Sequence, residues 1–465
     1  MPIDLQSMAF DPANAKATLN ELPQQAAVFA LYGADAKYEP YIGRTPNLRG
    51  RLERLLQPSA KHPRRLQLAG RVRRIAWRLT GSEFEALLVQ FEMLHEIYGA
   101  KVLERLHLRA PAFVRYLGGN PYPRIVVTHR PSRREADWAY GPFASRATAE
   151  RFAEEALKLF LLRRCTFELE PDPSYPGCVY SEMKMCLAPC YKGCSDERYA
   201  EEATAVESFL ATRGESKLVV LRTEREKASA ELEFESAAAL HAQVQKVESV
   251  RALAAELVRP MSRLRAIILQ PPAVGPTAIE APSGEVQVFL FEEGRIRGPV
   301  GFSTLGMRIQ NEHSGSSSLF AQPMAMEPIP EEQGLGNREQ GTENNRDESS
   351  KRTGFSPYAG ATQPEGALAP EAIPASPKLP RGVLETRMEA VLAELTRTTD
   401  PPSAVIRQGH LALLKRWYYR PEARRSGEIF FPDAEERWPI KAMLRGVGRV
   451  AAKSLTQAEA RSQNG

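Results

Sequence analysis

The chain has 465 residues, with 62 lysines and arginines against 57 aspartates and glutamates, for a formal net charge of +5. With 43% hydrophobic residues it can bury more than one core, which excludes a wholly disordered chain, and its length suits roughly two to four domains. No apolar run approaches the roughly 18 residues a bilayer span requires, and MPIDLQSMAFDPANA lacks a basic segment followed by an apolar one. A soluble, unprocessed, cytoplasmic protein without a membrane partner is expected.

Residues 1–25 read as an N-terminal extension. From 26 to 105, β-rich runs (AAVFALY, PYIG) alternate with helical patterns (PNLRGRLERLL, SEFEALLVQFEMLHEIY). Residues 106–195 add the strand-like RIVVTH and end in turn-rich, cysteine-bearing sequence with too few aliphatics for a core of its own. Residues 196–260 are nearly free of Gly and Pro, with Gly214 as the evident turn of a helical hairpin. Residues 261–306 return to strand character around EVQVFLFEEGRIRGPVGF, where Glu-Glu-Gly offers a hairpin turn. Residues 307–380 are rich in Gly, Pro and Ser and read as a disordered linker, and 381–465, with LETRMEAVLAEL and GHLALLKRWYY, as a small helical module. The fold class is α+β.

Charge and cysteine are unevenly distributed. Arg44 to Arg78 holds eleven Lys or Arg and one acidic residue, Glu53, a local positive field able to grip phosphate although a solvated face would look the same. Five cysteines in so long a chain make no disulfide framework, and their crowding between Cys165 and Cys194 points to a metal.

The order AAVFALYG, PYIGRTPNLRGRL, SEFEALL resembles the GIY-YIG nuclease domain. Such a phosphodiesterase needs a base, a cation at the scissile phosphate and a carboxylate for Mg²⁺ or Mn²⁺. The resemblance assigns the second-strand tyrosine to Tyr41, the helix arginine to Arg51 and the lysine position to Arg44. The first-strand tyrosine falls on Phe29, the metal-binding glutamate on Gln90 and the downstream asparagine nearest Val102. A neutral amide is a far weaker ligand for a hard cation than a carboxylate, so a weakened nuclease follows, unless Glu85 or Glu92 substitutes. Phosphate contacts do not need the base or the metal, and Arg44, Arg49, Arg51, Arg54, Arg64 and Arg65 are the DNA-binding candidates.

Cys165, Cys178, Cys186 and Cys190, separated by 13, 8 and 4 residues, resemble with FLLRRC and CLAPC the cysteine region of the UvrC family of excinuclease subunits. The likeness runs through LGGNPYPRIVVTH and YGPFASRATAERFAEEALKLF, covering about 26–305. It implies a [4Fe-4S] cluster in a structural role; zinc would also suit four thiolates, and buried free thiols remain the plain alternative. Cys194 has no counterpart.

ELEFESAAALHAQVQKVESV resembles the UVR motif, through which UvrC proteins meet UvrB. Phe234, Glu235, Leu240 and Val244 are the partner-binding candidates, and the apolar stripe could equally be covered from within. The usual Arg-Asp pair is here His241-Ala242, which alters any partner contact. After 305 the resemblance stops, with neither the acidic motif of the second, RNase H-like nuclease nor Gly-rich helix-hairpin-helix repeats. Three functions fit: a UvrC-like DNA-repair protein with weakened nuclease activity, a shortened single-incision endonuclease, or a metal-stapled protein-interaction module.

Overall fold

Among the described residues, three four-stranded sheets follow one another in sequence order. The computed structural model describes residues 4–35, 39–56, 68, 70–273, 285–307, 380–397 and 401–462, for Arg133 and 455–462 the backbone only. These all fall in one unit, 1–310 with 378–465. The linker expected over 307–380 lies, apart from its two end residues, outside the described residues.

The first sheet has the order β1-β4-β2-β3, from β1 (Gln6–Ala9), β2 (Ala27–Gly33), β3 (Tyr41–Thr45) and β4 (Val72–Leu79), with helices α1 (Ala15–Asn20) and α2 (Leu48–Leu56). Successive side chains of a strand face opposite ways, and both faces of β2 are covered. Ala27, Phe29 and Leu31 pack with Leu48, Leu52 and Leu56 of α2, which recur every fourth residue on one helix face. Val28 and Ala30 turn the other way, toward Ala86, Val89 and Met93 of α3 (Glu83–Tyr98).

Helix α3 has clear ends. The Ser82 hydroxyl accepts the Glu85 N–H at 3.1 Å, Glu83 and Glu85 place acid in the first turn, and Gly99 closes the helix at φ +55°. The short α4 (Val102–Arg105) follows, with Val102 fully buried.

The second sheet has the order β6-β5-β7-β8, from β5 (Ala112–Tyr116), β6 (Ile125–Thr128), β7 (Ala139–Phe143) and β8 (Arg259–Pro260). Between β7 and β8 the chain forms α5 (Arg146–Leu157), α6 (Val179–Glu182), α7 (Asp196–Ala211), α8 (Glu215–Ala230) and α9 (Phe234–Ala252). The helical segment is thus three helices where two were expected. Neither Gly nor Pro marks the second turn in the sequence; Leu232 itself adopts φ +61° there. One continuous core joins this sheet to α5, α7, α8 and α9.

The third sheet, order β11-β10-β9-β12, comprises β9 (Ala266–Gln270), β10 (Glu285–Glu292), β11 (Arg295–Ser303) and β12 (Glu428–Phe430). Glu293 and Gly294, both at positive φ, make the two-residue turn between β10 and β11. Helices α10 (Arg381–Thr396) and α12 (Ile440–Ser462) cover one face, while α11 (Ala404–Tyr418) and α3 cover the other. The C-terminal segment is therefore not a separate helical module. Residues such as Ile268, Leu269, Phe289 and Leu290 are buried on both faces of the sheet, so they require two helical layers, and the tail supplies most of both.

Phe289 is fully buried and meets Phe84 of α3 edge-on at 5.4 Å. Phe289→Ala is expected to destabilise the protein by about 3–5 kcal/mol in chemical denaturation. A change below about 1 kcal/mol would refute the shared core.

Candidate functional site

Of the nuclease-like residues, Phe29, Tyr41 and Arg44 stand on the first sheet, and its pleat divides them. Pairing of β2 with β3 sets Phe29 opposite Gly43 and Leu31 opposite Tyr41. Tyr41 therefore shares the α2 side with Phe29, their rings 6.1 Å apart. Phe29 is fully buried, and a Cβ on Gly43 would come within 2.8 Å of its ring, so this aromatic fills space at the expense of a side chain across the strand. Arg44 sits opposite Val28 and projects to the α3 side.

There Arg44 Nη1 donates to the Glu83 carboxylate at 2.8 Å, and Arg420 Nη2, from just beyond α11, donates to the same carboxylate at 2.7 Å. The Arg420 hydrogen bond, and secondarily Arg44, hold the Glu83 carboxyl down at about 2. Arg420 and Glu83 are 337 residues apart, and no local sequence signal could have paired them.

Of the other candidate cations, Arg49 donates its Nε to the Leu22 carbonyl at 2.7 Å and Arg54 to the Gly50 carbonyl at 2.9 Å. Arg51, on α2, makes no side-chain hydrogen bond or ion pair among the described residues. Arg64 and Arg65 lie outside the described residues.

Gln90 is half-buried on α3. Glu85, one alternative carboxylate, accepts the Gly81 N–H at 2.8 Å and lies 3.9 Å from Arg78; burial raises its pKa. Glu92 is likewise raised by burial, opposed by Arg78. Val102, nearest the family's asparagine, is buried apolar surface. No hydrogen bond joins Tyr41, Arg51 and Gln90 among the described residues.

The cysteines are brought together. Cys165, Cys178, Cys186 and Cys190 line one pocket with Arg163, Phe167 and Tyr180, and none forms a disulfide. Arg163 is 2% exposed; its Nε donates to the Tyr122 carbonyl at 2.9 Å, and its Nη1 donates to the Phe167 carbonyl at 2.9 Å and toward the Cys165 sulfur at 3.6 Å. The Ala188 N–H points at the Cys186 sulfur at 3.3 Å. Burial pushes the Cys186 thiol up to about 11, with the other three cysteines adding to the shift. Cys194 packs on the sheet-helix core instead and lines no part of this pocket. Among the described residues no group of three or more His, Cys, Asp or Glu side chains is arranged to hold a metal ion. The four thiols share a pocket wall without forming a closed ligand shell. The donor set still suits a thiophilic metal or cluster, because N–H groups already face two of the sulfurs. The buried Arg163 was not singled out in sequence, since FLLRRC alone does not say which arginine turns inward.

The UVR-like residues divide along α9. Phe234 is 69% exposed and Leu232 70% exposed at the α8–α9 tip, with Glu235 exposed beside them. Leu240 is partly buried, and Val244, with Val247 and Val250, is buried in the molecule's own core. Val244 therefore does not belong to a partner surface. The outer two turns project, while the inner turns close on α8, braced by Arg222–Glu248 at 2.8 Å and Arg251–Glu215 at 3.0 Å.

The four-cysteine pocket, with most of the second sheet and helices α5 and α7, falls in a stretch that matches known proteins. Residues 113–209 match the family model of the UvrC/Cho excinuclease middle domain. The chain is 30% identical over 211 residues to UvrABC system protein C of Alcanivorax borkumensis, covering 45% of this chain and 34% of that one. It is 30% identical over 243 residues to the protein of that name from Escherichia fergusonii, covering 52% and 39%, and 28% over 245 residues to that of Ectopseudomonas mendocina, covering 53% and 39%. The chain thus spans little more than a third of the length of these curated relatives, and over that span it is UvrC-like. No solved structure matches it. No helix among the described residues is long and apolar enough to cross a membrane.

Because the Glu83 carboxyl is lowered, it contributes stability that is fully present above its ordinary value of 4.5 and is lost as the pH falls toward about 2. In Glu83→Gln the acid limb of the stability profile across that window is expected to be shallower than in the wild type. Identical profiles in urea denaturation at stepped pH would show that the two arginines do not hold the carboxylate.

Proposed function

We propose that this chain is a UvrC-like nucleotide-excision-repair protein of the cytoplasm that binds DNA and whose GIY-YIG-like centre has weakened or lost endonuclease activity. The observation that carries the reading is the convergence of Cys165, Cys178, Cys186 and Cys190 on one pocket, within the region that matches the UvrC/Cho middle domain. Those four residues would hold a [4Fe-4S] cluster, with zinc as the competing occupant. A bound cluster would staple a segment poor in aliphatic residues. Arg163 and the Ala188 N–H would orient the sulfurs and stabilise negative charge on them.

At the nuclease-like centre, Tyr41 and Arg51 retain a phenol and a free guanidinium, groups that can contact and stabilise a phosphate. Gln90 provides no negative charge for Mg²⁺ or Mn²⁺, Glu85 is engaged by Gly81, and Phe29 has no hydroxyl. The exposed tip at Leu232, Phe234 and Glu235 suits a UvrB-like partner presenting a complementary helical hairpin.

Anaerobically purified protein is expected to contain iron and absorb visible light, to lose both in Cys186→Ala, and to keep them in Cys194→Ser. Zinc in place of iron, or a metal-free wild type, overturns the cluster. With Mg²⁺ or Mn²⁺ on damaged duplex, incision is expected to be weak and to rise in Gln90→Glu. Robust wild-type incision abolished by Arg51→Ala would overturn the weakened nuclease.

A further inference from the structure

The last described helix carries a cationic row that the nuclease-like and cysteine sites do not use. Lys441, Arg445, Arg449 and Lys453 of α12 are each four residues apart and all exposed. Residues four apart lie on one helix face, about 6 Å apart along the axis, so the row runs for roughly 18 Å. No Asp or Glu occurs between Ile440 and Ala458. The opposite face, with Met443, Leu444, Val447 and Val450, is buried against the third sheet and α10. The row is therefore held on a fixed scaffold, not on a free tail.

Its cations are not consumed by internal pairing to the extent seen on the first sheet. Arg449 is engaged by Glu428, at 2.7 and 2.6 Å. Lys441, Arg445 and Lys453 make no ion pair among the described residues. Between Arg445 and Arg449 stands Gly448, where an added Cβ would meet nothing within 4 Å, so the helix backbone is open to close approach there.

We propose that this face of α12 is a contact surface for the phosphate backbone of a nucleic acid, separate from Arg51 and the first sheet. A regular row of cations with no acid on its own helix, three of whose four members make no ion pair among the described residues, matches a polyanion with regularly spaced charges. It carries no base-reading amides or acids, so it adds affinity independent of sequence. A lipid surface fits less well, because an interfacial helix needs its apolar face for the membrane and α12 has buried that face. This inference rests on the proposed DNA-binding role and adds a second site to it.

The test is a titration of the full chain with undamaged duplexes of two unrelated sequences, at several salt concentrations between about 0.05 and 0.2 M. The triple variant Lys441→Ala, Arg445→Ala, Lys453→Ala is expected to bind both duplexes at least tenfold more weakly. Its log–log salt slope should fall by about 0.9 for each lost contact. The charge-preserving pair Lys441→Arg, Lys453→Arg should bind as the wild type does, and thermal melting checks that all variants fold. A folded triple variant with wild-type affinity and slope overturns the α12 site alone and leaves the DNA-repair reading standing. A wild type that binds neither duplex overturns both. Loss of binding to anionic vesicles with DNA binding unchanged assigns the face to a membrane and also overturns the proposal.

Discussion

Helix α3 is buried on two sides, and the arrangement of the N- and C-terminal parts follows from that constraint. One stripe, Ala86, Val89 and Met93, closes the first sheet, and a second, Phe84, Leu88 and Phe91, closes the third. A helix apolar around most of its circumference cannot face water on either side, so it forces two sheets to share it. Phe84 meets Phe289 and Trp417, while Gly409 of α11 leaves room for the Phe91 ring, which an added Cβ would approach to 2.3 Å. At the exposed first turn of the same helix, Glu83 ties Arg44 to Arg420, an ion pair that gives modest stability but fixes which residues can reach the surface there.

That geometry changes the meaning of the basic stretch. Eleven cations from Arg44 to Arg78 suggested a phosphate grip, yet Arg44, Arg49 and Arg54 all direct guanidinium N–H groups to acceptors within the molecule. An arginine can serve as a positioning strut as readily as a ligand, because its fork satisfies carbonyls and carboxylates alike. Among the described candidates, Arg51 keeps its charge uncommitted, whereas on α12 Arg449 is held by Glu428 while Lys441, Arg445 and Lys453 make no ion pair among the described residues. The same division appears on α9, where one apolar stripe is half partner-facing tip and half internal core.

The fold was legible where one period or one strong end signal governs a segment. The β-rich runs AAVFALY and PYIG, the helical pattern SEFEALLVQFEMLHEIY and the Glu-Glu-Gly turn stand in the structure as β2, β3, α3 and the β10–β11 turn. The turn at Leu232 was not, because a left-handed leucine leaves no compositional trace. Nor was the destination of the tail, since an edge strand as short as Glu428–Phe430 pairs with β9 only through contacts more than 150 residues distant in sequence.

By itself the sequence determined the chemical inventory: four spaced thiols, a tyrosine and arginine without their glutamate, a hairpin bearing an apolar stripe, and α+β segments in order. Side-chain type and spacing carry that information directly. Only the tertiary structure decided that the four thiols share a pocket with a buried arginine, that Glu83 binds cations from both ends of the chain, and that the C-terminal helices complete a sheet begun far upstream. Each of these depends on burial and on partners distant in sequence, and neither is encoded in any local window.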